Sequence, residues 1–136
     1  MTADLLVRLL LGHLVGDYLL QTNWMALNKK RHLWIAAVHS AVWTMAVVVF
    51  VPELLSVLAV AAVFGSHLLL DATDIVNAWL KLIGSRSYES VRAYQQEDHP
   101  ELHKQFMVAY TALVQAVADN TLHLLFLYLI VRLLVE

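Results

Sequence analysis

Four apolar segments, each near the length that a lipid bilayer demands, constrain the fold of this chain more than any other feature. A helix needs about 20 mainly apolar residues to cross the hydrocarbon core. The segments run from about Ala3 to Thr22, from Leu33 to Val51, from Leu54 to about Leu80, and from about His103 to Leu134. The sequence therefore predicts an all-α integral membrane bundle of four transmembrane helices.

The composition agrees with the membrane class and excludes several others. Hydrophobic residues make up 60% of the chain and charged residues 15%, whereas soluble domains have about 45–50% and about 25%. Cysteine is absent, which excludes a disulfide framework and thiolate metal sites. A net charge of -2 gives no sign of a nucleic-acid partner. The length of 136 residues suits one domain, predicted over residues 1–136.

The connections between the apolar segments are polar. The stretch from Ser85 to Lys104 predicts a short interfacial or cytoplasmic segment between the third and fourth helices, with a short helix up to Gln96. Asp98 is predicted to cap the fourth helix, with Pro100 in its first turn. The first apolar segment lacks a basic start and a small-residue cleavage pattern, so we interpret it as a helix rather than a signal peptide.

The basic residues of the connections predict an orientation. The first and third connections contain Lys29, Lys30, Arg31, Lys81, Arg86, Arg92 and Lys104, whereas the second connection has no basic residue. Cytoplasmic loops carry an excess of Lys and Arg, so both termini are predicted to lie outside. Trp24, Trp34 and Trp79 fall near the same cytoplasmic boundary, as an aromatic belt would.

Ionisable side chains lie inside these apolar helices. In three helices a histidine and an aspartate are four residues apart, and therefore share one helix face. The residues are His13 with Asp17, His67 with Asp71, Asp119 with His123, and His39 in the second helix. An ionisable group facing lipid costs several kcal/mol, so these faces are expected to point into the bundle.

The order within each pair reverses where the helix direction reverses. The first and third helices are predicted to descend toward the cytoplasm, and each has its histidine before its aspartate. The fourth helix is predicted to ascend, and Asp119 there precedes His123. Every aspartate is thus predicted to lie on the cytoplasmic side of its histidine, which makes one shared, layered site.

Imidazole nitrogen and carboxylate oxygen without sulfur favour a divalent metal, with zinc expected first and manganese, iron or magnesium as alternatives. Helix bundles build such sites from facing helices. Seven candidate ligands exceed one tetrahedral shell, so either two metals bind or some of these residues orient the others. The alternative is interhelical hydrogen bonding, worth about 0.6–2 kcal/mol for each polar residue. We interpret Gln21 and Gln115 in that way, or as orienting residues, and Gly12 with Gly16 as a close-packing motif.

These residues resemble the pattern of domain-of-unknown-function family 3307, small proteins of the bacterial inner membrane. The resemblance rests on His13-Leu-Val-Gly-Asp17-Tyr18 with Gln21 and Lys29, His39, His67-Leu-Leu-Leu-Asp71, and Asp119-Asn120-Thr-Leu-His123. It covers most of the chain and implies the bacterial cytoplasmic membrane as its location. Asn120 departs from the pattern, which more often has glutamine there, and this weakens the case for a role of its amide.

The first functional hypothesis is a metal-dependent hydrolase of a lipid-like phosphoester, reached from the cytoplasmic leaflet. The metal would lower the pKa of a bound water, and one of Asp17, Asp71 and Asp119 would act as general base. Some other small bacterial membrane proteins, described as metal-dependent hydrolases, also place histidines within short helices. This similarity is an analogy at the level of the fold alone.

Two alternatives to the hydrolase stay open. One is a membrane scaffold or partner subunit whose polar or metal site is structural. The other is an ion or metal transporter, which requires polar groups through the whole bilayer depth. The outer halves of the helices, such as residues 45–51 and 57–64, are almost entirely apolar and disfavour transport. Gly12 and Gly16 also suit a homodimer, with membrane lipid as the other expected partner.

Overall fold

Residues 2–135 are described by a computed structural model, and all regular elements in this range are helical, which confirms the all-α class. The elements are α1 (Ala3–Leu14), a π-helical turn (Val15–Leu19), α2 (Asn23–Asn28), α3 (Leu33–Phe50), a 3-10 turn (Pro52–Leu54), α4 (Val57–Ala72), α5 (Ile75–Leu82), α6 (Tyr88–Gln96) and α7 (Glu101–Leu134).

Two of these helices are long and apolar enough to cross a membrane: α3 with 18 residues and α7 with 34. A third span exists if α4 and α5 are taken together across the break between them. The first predicted span is a helix of 12 residues followed by the π-helical turn. A bundle of four spans therefore stays a prediction.

Two predicted boundaries are wrong. The third apolar segment is not one helix, because the backbone leaves the helix at Thr73, which is extended, before α5 begins at Ile75. The fourth helix begins at Glu101 rather than after an Asp98 cap, and the Pro100 carbonyl accepts hydrogen bonds from the His103 and Lys104 amides at 2.9 and 3.1 Å. The short helix expected before residue 96 is present as α6.

The described chain falls into two compact units. One comprises the residues up to Thr73 together with those from Leu122 onward, and the other is Asp74–Thr121. The single domain expected over residues 1–136 stays a prediction, and its first and last residues lie outside the described range.

In the first unit, α1 packs against α3 with almost no space between the backbones. A Cβ added at Gly12 would lie 2.9 Å from the Val47 Cα, and one at Gly16 would lie 2.5 Å from Trp43 Cδ1. Both distances are shorter than van der Waals contact. The two glycines are thus required by close helix packing, as their spacing predicts.

An ion pair fastens α1 to the turn that follows α3. The Arg8 guanidinium donates to both carboxylate oxygens of Glu53, at 3.0 and 2.7 Å, and to the Phe50 carbonyl oxygen at 3.3 Å. Hydrogen bonding from Arg8 holds the pKa of Glu53 below its usual range. The bidentate geometry is the strong form of this pair, and it joins α1 to the turn after α3.

The second unit is organised around the buried amide of Asn77. Its Oδ1 accepts hydrogen bonds from the Tyr88 backbone amide and from Gln115 Nε2, both at 3.0 Å. Its Nδ2 donates to Glu89 at 3.2 Å. Asn77 therefore joins α5, α6 and α7 within this unit, and Gln115 contributes an interhelical hydrogen bond.

Candidate metal centre

Six of the seven residues predicted as metal ligands meet in the first unit, where they are buried or nearly so. They come from α1, the π-helical turn, α3, α4 and the last part of α7: His13, Asp17, His39, His67, Asp71 and His123. The four histidines are at most 2% exposed and Asp71 is 3% exposed. Buried ionisable groups are costly unless they are paired or bind a metal.

The π-helical turn positions Asp17. It is closed by a hydrogen bond from the Leu20 amide to the Val15 carbonyl at 3.0 Å, one residue longer than the bond of an α-helix. Such turns occur mostly as single insertions at functional sites. Because Gly16 has no side chain, the turn can lie against Trp43, and Asp17 Oδ1 comes to 3.1 Å from His39 Nε2.

Four ligand-type atoms converge at the centre of the cluster: Asp17 Oδ1, His39 Nε2, His67 Nε2 and Asp71 Oδ2. His39 Nε2 is 3.1 Å from Asp17 Oδ1, 3.1 Å from His67 Nε2 and 3.2 Å from Asp71 Oδ2. His67 Nε2 is 3.2 Å from Asp71 Oδ2 and 3.6 Å from Asp17 Oδ1. The five separations thus fall between 3.1 and 3.6 Å.

These separations fit the ligand shell of a metal ion. Ligands at about 2.0–2.1 Å from a tetrahedral zinc lie about 3.3–3.4 Å from one another. Imidazole nitrogen and carboxylate oxygen are both ordinary ligand types for divalent metals. The buried histidine and aspartate groups of this cluster can therefore hold a metal ion.

His123 lies at the side of this centre. Its Nε2 is 3.8 Å from Asp71 Oδ1, and its ring is 4.4 Å from the His67 ring between centroids. Ligand atoms of His123, Asp17 and His67 can all lie within 4.8 Å of one another. His123 thus offers a further donor, next to but outside the group of four atoms.

His13 is held differently from the other histidines. The indole N–H of Trp43 donates to His13 Nδ1 at 3.2 Å. Since an indole N–H can only donate, Nδ1 is the unprotonated nitrogen and the imidazole proton lies on Nε2. The same Nδ1 is 3.3 Å from Asp17 Oδ2, and it cannot donate to that oxygen while it accepts from Trp43. The other oxygen of Asp17, Oδ1, lies 3.1 Å from His39 Nε2.

Two residues of the cluster were not predicted as site residues from the sequence. The Lys29 ammonium lies 2.8 Å from Asp71 Oδ2, although we interpreted this lysine only as a cytoplasmic loop charge and part of the family pattern. The Trp43 ring stacks on His67 with centroids 3.9 Å apart. Trp43 follows His39 by four residues and so shares its helix face, a spacing that could have identified it.

Asp119 belongs to the second unit, where it lies four residues before His123 along α7. It is half-buried. Its assignment as a metal ligand or general base stays a prediction from the sequence.

Substituting alanine for Gly16 is expected to destabilise the fold and displace Asp17, because the new methyl group would overlap Trp43. Overpacking of this kind costs about 1–3 kcal/mol. Gly65 is the matched control, since a Cβ there meets nothing within 4 Å and alanine is the better helix former by about 0.5–1 kcal/mol. Thermal unfolding in detergent should show a lower Tm for Gly16→Ala and an equal or higher Tm for Gly65→Ala. Equal Tm values would contradict the packing argument.

The fold and this cluster define a helical protein with apolar, membrane-length helices and a buried site of histidine and aspartate. The particular family follows from the sequence, which matches the family described as "Protein of unknown function (DUF3307)" over residues 5–136. The chain belongs to this family. No curated protein and no solved structure matches it.

Proposed function

We propose that this protein is a membrane-embedded metal-binding protein that holds a divalent ion between its helices. Asp17, His39, His67 and Asp71 are the ligands, and His123 is a further donor. The observation that supports this function best is the convergence of His39 Nε2, His67 Nε2 and Asp71 Oδ2 within 3.1–3.2 Å of one another, with Asp17 Oδ1 at 3.1 and 3.6 Å from the two histidine nitrogens. Zinc is the first expectation because it favours four nitrogen and oxygen ligands, with manganese, iron and magnesium as alternatives.

The charges of the cluster also support a cation. Two carboxylates face one ammonium, that of Lys29, and His13 is neutral by its bond to Trp43. With the other histidines neutral, one negative charge is left without compensation in a buried site, which is costly. Either an extra proton or a metal ion removes this cost.

The membrane placement rests on the apolar lengths of α3 and α7. In this proposal the chain crosses the bacterial inner membrane four times, and the spans are α1 with its π-helical turn, α3, α4 and α7. The connections with the basic residues face the cytoplasm and both termini lie outside.

Within this proposal the protein is a metal-dependent hydrolase of a lipid-like phosphoester. A catalytic metal needs a coordination position open to water or substrate, and the partly exposed members of the cluster mark where that opening would lie. The Asp17 and Lys29 side chains are 11% and 16% exposed. A carboxylate that is not bound to the metal, at Asp17, Asp71 or Asp119, would act as general base.

A structural role is the second candidate, and one observation favours it. The His39 and His67 side chains are completely buried, as expected for a metal shell filled by protein atoms. Such a site would hold a scaffold or partner subunit together. A coordination position occupied by water would favour the hydrolase, whereas a shell of protein ligands alone would favour the scaffold.

The test is the metal content of the purified protein in detergent, measured by elemental mass spectrometry. About one ion for each chain is expected in the wild type, with loss in His67→Ala and in Asp71→Ala. His32→Ala is the matched control, because His32 is exposed before α3 and its loss should change nothing. A wild type that takes up no metal after incubation with zinc, manganese, iron or magnesium would contradict the proposal. The cluster would then be a hydrogen-bonded network without a metal.

A further inference from the structure

The short helix α5 presents apolar side chains to its surroundings. Ile75, Trp79, Leu82 and Ile83 are 40%, 51%, 79% and 54% exposed. Their spacing of four, three and one residues places them on one side of the helix and its last turn. Monomeric soluble proteins rarely expose apolar residues so contiguously, and such a face marks an interaction site.

The opposite side of α5 is fixed to a hydrophilic helix. Val76, Asn77 and Leu80 are buried, and Asn77 bonds to the Tyr88 amide and to the Glu89 carboxylate of α6. Most of α6 is exposed, including Arg92 and the glutamines that end it. Lys81 of α5 approaches Glu89 at 3.9 Å.

The α6 side of this pair must be in contact with water. Hydrogen bonds from its own backbone amide and from Asn77 hold the pKa of Glu89 below its usual range, so that this half-exposed group is ionised at neutral pH. An ionised group in the hydrocarbon core would cost several kcal/mol. The pair α5–α6 therefore cannot be immersed in hydrocarbon.

We propose that α5 lies flat in the boundary between headgroups and acyl chains of the membrane, with Ile75, Trp79, Leu82 and Ile83 in contact with lipid. This is the environment that accepts an apolar face on one side and hydrated charges on the other. Tryptophan concentrates at this depth, and the Lys81 ammonium, 64% exposed, can reach the headgroups while its stem lies along lipid. The inference rests on the membrane placement proposed above but not on the metal.

The absence of cysteine from the sequence permits a direct test of this orientation. Single variants Ile75→Cys, Trp79→Cys and Leu82→Cys, labelled with a fluorophore in phospholipid vesicles, report depth through quenching by lipids with nitroxides at known positions. A flat helix places the three labels at one depth to within a few Å. A helix along the membrane normal separates labels at 75 and 82 by about 10 Å, since each residue rises about 1.5 Å.

Two further labels separate the outcomes. Val49→Cys, on the exposed side of α3, should be quenched by nitroxide lipids, and Gln95→Cys on α6 should be quenched from water. A depth gradient along α5, labels quenched only from water, or labels that escape both quenchers as for a face covered by protein, would overturn the flat orientation. If Val49→Cys also escapes quenching by lipid, the membrane placement itself fails.

Discussion

Replacing His39 with alanine is expected to abolish stoichiometric metal binding, and this is the largest single effect that the site predicts. His39 Nε2 is within 3.2 Å of one atom each from Asp17, Asp71 and His67. It is therefore the atom that all other members of the central group share. Without it, the central group keeps two carboxylate oxygens and the single imidazole nitrogen of His67.

Replacing His13 is expected to have a smaller effect, because His13 orients the site without binding the metal. Its Nδ1 accepts from Trp43 and its proton lies on Nε2, so neither nitrogen has a free lone pair for a metal. Loss of an orienting residue typically weakens metal binding by about 10- to 100-fold. Metal titrations of His39→Ala and His13→Phe, with His32→Ala as control, measure the difference.

The geometry predicts that the His39 substitution weakens metal binding more than the His13 substitution does. Metal binding lost in His13→Phe and retained in His39→Ala would exchange their roles and contradict the central group of four atoms. Loss in His32→Ala would indicate a general effect on folding. Because Nε2 is the proposed ligand atom, metal-bound His39 and His67 should carry their protons on Nδ1, which nitrogen-15 NMR of labelled histidine detects.

Much of this site could be predicted from the sequence because its signals are local. A histidine and an aspartate four residues apart must share a helix face, and the structure brings His67 Nε2 to 3.2 Å from Asp71 Oδ2. A charge within an apolar helix must also find a partner. Those two rules select the histidines and aspartates of the cluster before any tertiary structure is known.

The parts that could not be predicted depend on backbone irregularities. The π-helical turn at Asp17 accompanies the approach of Gly16 to Trp43; the spacing of Gly12 and Gly16 predicts close packing but not the extra residue in this turn. The break after Ala72 lies in a segment whose hydrophobicity suits a continuous helix. The segment is about 27 residues long, which is more than one span needs. This length is the one sequence signal that the segment forms two helices.

Lys29 shows most clearly which kind of site residue could not be predicted from the sequence. The three consecutive basic residues Lys29 to Arg31 contribute equally to the prediction of a cytoplasmic loop. No local pattern shows which of their side chains contacts the buried aspartate. That choice depends on where α2 ends, since Lys29 is its C-terminal cap residue. From there its ammonium reaches Asp71, 42 residues away in sequence.

Substituting leucine for Lys29 is expected to tighten metal binding by at least tenfold. The Lys29 ammonium is 2.8 Å from Asp71 Oδ2, and a metal on that oxygen would be about 2.0–2.2 Å from it. The two cations would then lie within about 5 Å of each other. At an effective dielectric constant of about 20, a divalent ion and an ammonium at that distance repel by about 7 kcal/mol.

The lysine can avoid this repulsion by swinging out, and the cost of metal binding is then the loss of the Lys29–Asp71 ion pair. In either case the lysine competes with the metal for the same oxygen, and about 1.4 kcal/mol suffices for a tenfold change in affinity. Lys29→Leu removes the competitor and leaves Asp71 without its cation. The rise in Tm on adding metal should therefore be larger in the variant than in the wild type.

Lys30→Leu is the matched control, since it removes the same charge from the next residue, which is exposed. Metal titration and thermal unfolding of the two variants and the wild type make the comparison. Tighter binding in Lys29→Leu alone would establish competition at Asp71, and the metal-free variant should be the least stable of the three, because its buried carboxylate has lost a partner. Unchanged or weaker binding in Lys29→Leu would instead mean that the lysine holds Asp71 in place for the metal.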